Sequence, residues 1–258
     1  MLNKLLKYDI KSTWRGFAGI YMAILLGVII IPFILNNSVS ETIIGISGFV
    51  AVAIVIATIV IMIVNLFRIY NTNVFSKEGY LTMTLPVTSL QVVSSKLIIS
   101  SMWIILTAVV SVLGMFIFAF IINNVSIIDA IATAQKYLAQ FSGITTSKVI
   151  MLVLVVVLSM VKEIAKLFLA CSIAHIKQLN RFRIPLGILS YSVMTWAESF
   201  IDRGITSSTG LILNPASVEE FLSNFYGIMG YGMVCALIFM ALYSAGTVWI
   251  LNHKLNLD

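Results

Sequence analysis

Long runs without a charged residue decide what class of fold this sequence can adopt. Residues 16–40, 42–67 and 97–122 each contain no Lys, Arg, Asp or Glu. A helix needs about 20 apolar residues to cross the roughly 30 Å hydrocarbon layer of a bilayer, whereas barrel strands alternate apolar and polar side chains over about 10 residues. Because no such alternation is visible, the runs predict transmembrane helices.

Three further apolar runs bring the prediction to six transmembrane helices. Only 10% of the residues are charged, and a water-soluble domain usually carries about 25%, so too little polar surface remains to cover a globule in water. We expect an all-α membrane protein with a single six-helix domain over residues 17–258. The predicted spans are residues 17–35, 43–67, 97–122, 149–176, 184–201 and 228–251.

The distribution of Lys and Arg predicts the orientation of these helices, because cytoplasmic flanks carry an excess of both residues. Most of them lie in the N-terminal arm, in the loops after the second and fourth spans, and in the C-terminal tail. Only Lys136, Lys148 and Arg203 lie in the flanks on the other side. Both termini are therefore expected in the cytoplasm. The same distribution leaves no basic face for a nucleic-acid backbone.

Residues 1–16 form an arm with helical periodicity before the first span. Its basic residues recur every three or four positions, with apolar residues on the opposite side; they are Lys4, Lys7, Lys11 and Arg15. This pattern is typical of a helix that lies in the membrane interface with its lysines toward the headgroups. The alternative is an arm that only satisfies the excess of cytoplasmic positive charge.

Residues 75–87, FSKEGYLTMTLPV, interrupt the apolar sequence between the second and third spans. Gly79 favours a left-handed helix end, and Pro86 prevents helix continuation. Beyond them, Thr88 and Gln91 have the spacing of a capping box, which predicts the start of the next helix. The apolar side chains of this turn either form a partner site or pack back against the helix ends.

The run from Glu78 to Val87, followed by Ser95-Lys96-Leu97, resembles the first cytoplasmic loop of bacterial ABC transporter permeases of the type-2, exporter class. The chain also resembles that family in its length, its basic N-terminal helix, its six spans and its cytoplasmic termini. In the family, this loop forms a coupling helix that sits in a groove on the ATPase subunit. The resemblance gives that role here to Glu78, Gly79, Tyr80, Leu81, Leu85 and Pro86.

The resemblance implies the permease subunit of an ATP-driven exporter that moves a peptide or another amphipathic substrate across a bacterial plasma membrane. The sequence contains no Gly-Lys pair and therefore no P-loop. ATP and Mg would bind a separate cytoplasmic ABC ATPase subunit, and this chain would have no catalytic residue, metal site or bound cofactor. Because such permeases work in pairs, a second permease subunit, identical or homologous, is also expected.

Ionisable residues inside the predicted spans form a second candidate site. Lys162, Glu163 and Lys166 interrupt the fourth span, Glu198 lies in the fifth, and Ser159 shares a helix face with the two lysines. Such groups are costly in a membrane unless paired or hydrated, so they either line a substrate path or form a buried structural network. Glu163 is placed to pair with Lys166. At about 1.5 Å per residue, Lys162 and Glu198 would differ in height by roughly 10 Å, so their direct pairing would need both side chains extended.

Two other classes of function stay open on the sequence alone. Glu163 or Glu198 would couple a secondary transporter to protons, although the internal repeats and broken helices common in such proteins are not visible. A membrane scaffold or sensor subunit without a transport path is the other alternative. An ATPase that co-purifies with the chain would separate the exporter from the secondary transporter.

Overall fold

A computed structural model of the chain describes residues 2–37, 40–75, 88–122, 146–176, 182–210 and 218–253. Within these residues the structure is all-α and contains no strand. The helices are α1 (Leu2–Asn37), α2 (Glu41–Phe75), α3 (Ser89–Ile122), α4 (Thr146–Ala174), α5 (Arg183–Thr209), α6 (Val218–Ser223) and α7 (Phe225–His253).

The helices follow the predicted spans but differ from them at several ends. The fifth span was expected to end at residue 201, whereas α5 continues to Thr209. The fourth was expected to reach residue 176, whereas α4 ends at Ala174. α1 is continuous from Leu2, so the expected boundary between residues 16 and 17 falls inside a helix. A hydropathy run marks where a helix meets lipid, and helices often extend beyond that limit.

Local hydrogen bonds account for where three of the helices begin or end. The predicted capping box at the start of α3 is confirmed, because the Gln91 N–H donates to Thr88 Oγ1 (3.4 Å) and the Thr88 N–H donates to Gln91 Oε1 (3.3 Å). α2 starts after Ser40, whose carbonyl accepts the N–H of Ile43 at 3.1 Å. α5 ends at Thr209 and is capped by Gly210, whose φ of 66° is the left-handed conformation that glycine adopts at little cost.

Four helical segments of the described residues are long and apolar enough to cross a membrane: Leu5–Asn37, Glu41–Tyr70, Ser89–Ile122 and Phe225–His253. In the most apolar part of the second segment only 6% of the residues are buried within the protein. Large apolar side chains such as Phe49 and Val64 therefore point outward. Such exposure is favourable in lipid and costly in water, which supports a membrane protein.

The chain divides into two compact units. The first comprises Met1–Ile69 and Met102–Gly143, and the second comprises Tyr70–Ser101 and Ile144–Asp258. The sequence predicts one domain over residues 17–258, and α2 and α3 each contribute residues to both units.

In the first unit, α1 and α3 run parallel, because their contacts advance along both helices in the same direction. The side-chain hydrogen bonds that establish this join Trp103 Nε1 to Thr13 Oγ1 (2.9 Å), Tyr21 Oη to Thr107 Oγ1 (3.2 Å) and Asn36 Nδ2 to the Ile121 carbonyl (2.7 Å). Phe17 also stacks on Trp103 with ring centroids 4.5 Å apart. α2 is antiparallel to α1, since Gly16 approaches Asn65 and Gly27 approaches Ile54.

In the second unit, α4 packs against both α5 and α7. α4 and α7 run parallel, because Lys148 lies over the Phe225 ring, and Gly232 and Gly246 approach Val155 and Leu169 in step. α5 is antiparallel to α4, as its early residue Gly187 approaches Ala174 near the end of α4. The three helices therefore alternate in direction along the chain.

Several helix ends meet at one end of the second unit. Tyr70, near the end of α2, lies against α4, with its Oη 2.6 Å from Ser172 Oγ. Ser89, at the start of α3, donates its hydroxyl to Asn252 Oδ1 near the end of α7 at 2.5 Å. The residues that flank the predicted loop at 75–87 thus contact the last turns of α4 and α7.

Candidate functional site

Two lysines and two glutamates meet between α4 and α5. Lys162 Nζ lies 2.9 Å from Glu198 Oε2 and 3.2 Å from Glu163 Oε1. Lys166 Nζ lies 3.0 Å from Glu198 Oε2 and 3.0 Å from Glu163 Oε2. Each lysine therefore contacts both carboxylates, and the four charges cancel. We call these four residues the charged cluster.

Neighbouring polar side chains complete the hydrogen bonding of the charged cluster. Tyr191 donates its hydroxyl to Glu163 Oε2 at 2.8 Å, and Tyr243 of α7 donates to Glu198 Oε1. Lys166 donates to Thr195 Oγ1 at 3.4 Å and lies 5.2 Å from the centre of the Tyr191 ring. Each carboxylate thus accepts a hydroxyl hydrogen bond in addition to its ion pairs, which offsets part of the cost of enclosing charge.

Burial within the charged cluster is graded. The side chains of Lys166 and Glu198 are 1% and 9% exposed, Lys162 is 18% exposed, and Glu163 is 43% exposed. The cluster is therefore closed at Lys166 and Glu198 and open at Glu163. An exposed carboxylate cannot face hydrocarbon cheaply, so water, a polar ligand or another protein surface must contact it in a membrane.

The direct contact between Lys162 and Glu198 corrects the height difference expected from the sequence. The estimate of that height difference assumed that both helices start and end at the same two membrane planes. α5 instead continues to Thr209, so Glu198 lies well inside the helix rather than near its end. The axial offset between two packed helices is set by their side-chain contacts. The predicted local pair between Glu163 and Lys166 is confirmed.

The structure adds three residues to this site that the sequence reading did not include. Tyr191 and Thr195 lie on α5 at helical spacing with Glu198, and this polar stripe is a signal that the sequence contains. Tyr243 comes from α7, and a single tyrosine in an apolar run gives no comparable signal. Among the described residues, Ser159 is half-buried and takes no part in the contacts given above.

The other predicted site lies outside the described residues. Glu78, Gly79, Tyr80, Leu81, Leu85 and Pro86 all fall between α2 and α3. The structure describes the two helices that flank this loop, including the capping box at Thr88. The role of the loop stays a prediction from the sequence.

Chemically, the charged cluster offers ion pairs and hydrogen bonds. Within the described residues, no group of three or more His, Cys, Asp or Glu side chains is placed to hold a metal ion. Cys171 and Cys235 are both free thiols in α4 and α7. The arrangement is suited to contact a polar or charged group that approaches from the side of Glu163.

Comparison with known proteins adds no family to this description. No protein-family model matches the chain, and searches of the curated proteins and of the solved structures found no match.

Proposed function

We propose that the chain is the permease subunit of an ATP-driven ABC exporter of the type-2 class, which moves a peptide or another amphipathic substrate across a bacterial plasma membrane. The observation that carries the proposal is the sequence run from Glu78 to Leu97. Its first part, to Val87, falls between two of the long apolar helices, α2 and α3, and its last part, Ser95-Lys96-Leu97, belongs to α3. A charged segment between two membrane-spanning helices is what a permease needs in order to contact an ATPase outside the membrane.

The packing of the second unit supports the proposed six spans. α4, α5 and α7 alternate in direction, as three consecutive crossings would. The charges of α4 and α5 reduce their apolar character, but the charged cluster is neutral in sum and largely enclosed. Two helices that pair their charges in this way can cross a bilayer at a moderate cost.

The contacts at one end of the second unit support the proposed cytoplasmic orientation. The end of α2, the start of α3, and the ends of α4 and α7 lie together there through the Tyr70–Ser172 and Ser89–Asn252 contacts. The Lys and Arg residues of the sequence predict the cytoplasm for the same four helix ends. A loop between α2 and α3 would then face a cytoplasmic partner.

The differences in side-chain exposure within the charged cluster support separate roles for its members. Lys166 and Glu198 are enclosed and would maintain the packing of α4 against α5. Glu163 and Lys162 lie at the open side and would contact the substrate path. The alternative, in which the whole cluster is structural, predicts that substitutions change the stability of the fold without a separate change in export.

Purification in a gentle detergent followed by transport into inverted vesicles tests the proposal. We expect a P-loop ATPase to co-purify with the chain, together with a second permease subunit, and ATP to drive substrate uptake. A proton-coupled transporter would lack the ATPase and would respond to a proton gradient instead. A scaffold or sensor subunit would show neither form of transport. Absence of any ATPase from the purified complex would contradict the proposal.

A further inference from the structure

Tyr70 of α2 makes a buried contact with α4, the helix that carries both lysines of the charged cluster. Its side chain is 0% exposed, and its ring stacks on Phe168 with centroids 4.2 Å apart and 12° between the planes. Its hydroxyl lies 2.6 Å from Ser172 Oγ. One apolar and one polar contact therefore hold the last part of α2 against the second half of α4.

The position of this contact relates it to both candidate sites. α2 remains helical from Tyr70 to Phe75, directly before the sequence run that resembles a coupling loop. On α4, Phe168 lies two residues after Lys166, and the Ser172 hydroxyl donates to the Phe168 carbonyl at 2.9 Å. A shift of α2 at Tyr70 would thus act on the same part of α4 that places Lys166.

We infer that Tyr70 is a positioning residue that couples the end of α2 to the charged cluster. Displacement of α2 moves α4 through Phe168 and Ser172, and this alters how Lys166 fits between Glu163 and Glu198. The role of this coupling in transport rests on the proposed function. Its structural part requires only this chain and is tested on the chain alone.

A double-mutant cycle separates coupling from simple packing. Tyr70→Phe removes the contact with Ser172 and keeps the ring stack, and Tyr191→Phe removes the hydrogen bond to Glu163. Substitutions at separate sites without shared partners add in their effects, whereas sites joined through a common element do not. We expect the combined change in the unfolding equilibrium constant, measured by SDS titration in mixed micelles, to differ from the product of the single changes by more than about threefold.

A matched cycle controls for the loss of a tyrosine hydroxyl. Tyr21→Phe removes a comparable hydrogen bond, to Thr107, in the first unit. Paired with Tyr191→Phe, it should give additive effects. Ser172→Ala breaks the Tyr70 contact from the side of α4 and serves if Tyr70→Phe does not fold. Additive effects in both the Tyr70 and Ser172 cycles would overturn the inference.

Transport measurements then separate this inference from the proposed function. Tyr70→Phe should recover as much ATPase as the unchanged chain but export less substrate per ATP hydrolysed. Unchanged export per ATP would overturn the role of Tyr70 in coupling, while the proposed function would stand. If no ATPase binds even the unchanged chain, the proposed function fails, and the double-mutant cycle still decides whether Tyr70 and the charged cluster are joined.

Discussion

Lys166 and Glu198 form an ion pair that three helices enclose. The Nζ–Oε2 distance is 3.0 Å, and the two side chains are 1% and 9% exposed. α4 and α5 supply the two charges, and α7 supplies the Tyr243 hydroxyl that donates to the other oxygen of Glu198. Because both lysines contact Glu198, its loss would leave two cations close together with only Glu163 to balance them.

Substitution of Glu198 should therefore destabilise the fold more than any other single change in the charged cluster. Removal of one partner from a buried ion pair costs about 3–5 kcal/mol, so we expect Glu198→Gln to lower the free energy of unfolding by about 3 kcal/mol. SDS titration of the purified chain measures this change. The double variant Lys162→Met, Glu198→Gln restores neutrality and should recover part of the loss. A Glu198→Gln variant as stable as the unchanged chain would contradict a stabilising role for the enclosed ion pair.

Glu163 should respond differently, because its side chain is 43% exposed. If it contacts the substrate path, Glu163→Gln should reduce export several-fold while most of the folded complex is retained. Glu41→Gln is the matched control, since Glu41 is an exposed carboxylate in the first turn of α2. Export assays alongside the yield of folded complex give the comparison. Loss of folded protein without a separate export defect would favour a purely structural cluster.

Local sequence patterns predicted the elements of this fold better than their mutual positions. Thr88 and Gln91 form the expected capping box because both partners lie within one helical turn. Glu163 and Lys166 pair as expected for the same reason. For Lys162 and Glu198, the sequence predicted only that direct pairing would need both side chains extended, because the contact depends on the axial offset of two helices, which no local pattern encodes.

Single tyrosines in apolar helices show the same limit. Tyr243 lies in a mostly apolar run and Tyr70 lies beside Arg68 and Asn71, and neither neighbourhood indicates a particular partner for the tyrosine hydroxyl. Their hydroxyls find their partners, Ser172 and Glu198, only through tertiary packing. Tyr191 was predictable in principle, because it shares a helical stripe with Thr195 and Glu198.

Packing of α1 against α3 is tested at Gly114. A Cβ added there would lie 3.1 Å from Val28 Cγ2, and Val28 is held near one rotamer in a helix. Gly114→Ala should therefore lower the free energy of unfolding by about 1 kcal/mol, as overpacking does. Gly48→Ala is the control, because nothing lies within 4 Å of its added Cβ, and there alanine should be neutral or stabilising by up to about 1 kcal/mol. Equal effects of the two substitutions would contradict the close approach of α1 and α3.

Cysteine labelling tests the proposed orientation. Ser207 is exposed on the last turns of α5, and Ser76 follows the end of α2. In a chain whose Cys171 and Cys235 are replaced by alanine, a membrane-impermeant maleimide added to intact cells should label Ser207→Cys and not Ser76→Cys. Inverted vesicles should give the opposite result. Labelling of Ser76→Cys from outside would reverse the topology and remove the basis for an ATPase contact at residues 75–87.

The loop between α2 and α3 gives the sharpest test of the proposed function. Leu81 and Leu85 are expected to bury themselves against an ATPase subunit, and truncation of an interface anchor costs about 2 kcal/mol or more. The double change Leu81→Ala, Leu85→Ala should weaken ATPase binding by one to two orders of magnitude, at about 1.4 kcal/mol per tenfold change. It should leave the chain folded and inserted, because both residues lie outside the predicted spans. The ATPase recovered per permease in a pull-down measures the effect.

The thermal stability of the isolated permease distinguishes a partner contact from internal packing in the same variant. Exposed leucines that await a partner contribute little to the fold of the free chain, so their truncation should leave the melting temperature almost unchanged. Leucines that pack against the ends of α2 and α3 would instead lower it when truncated, since burial of a leucine contributes about 1.5–3 kcal/mol. Unchanged ATPase recovery with a lowered melting temperature would show that the loop is only a connector. The proposed exporter function would then lose its main supporting observation.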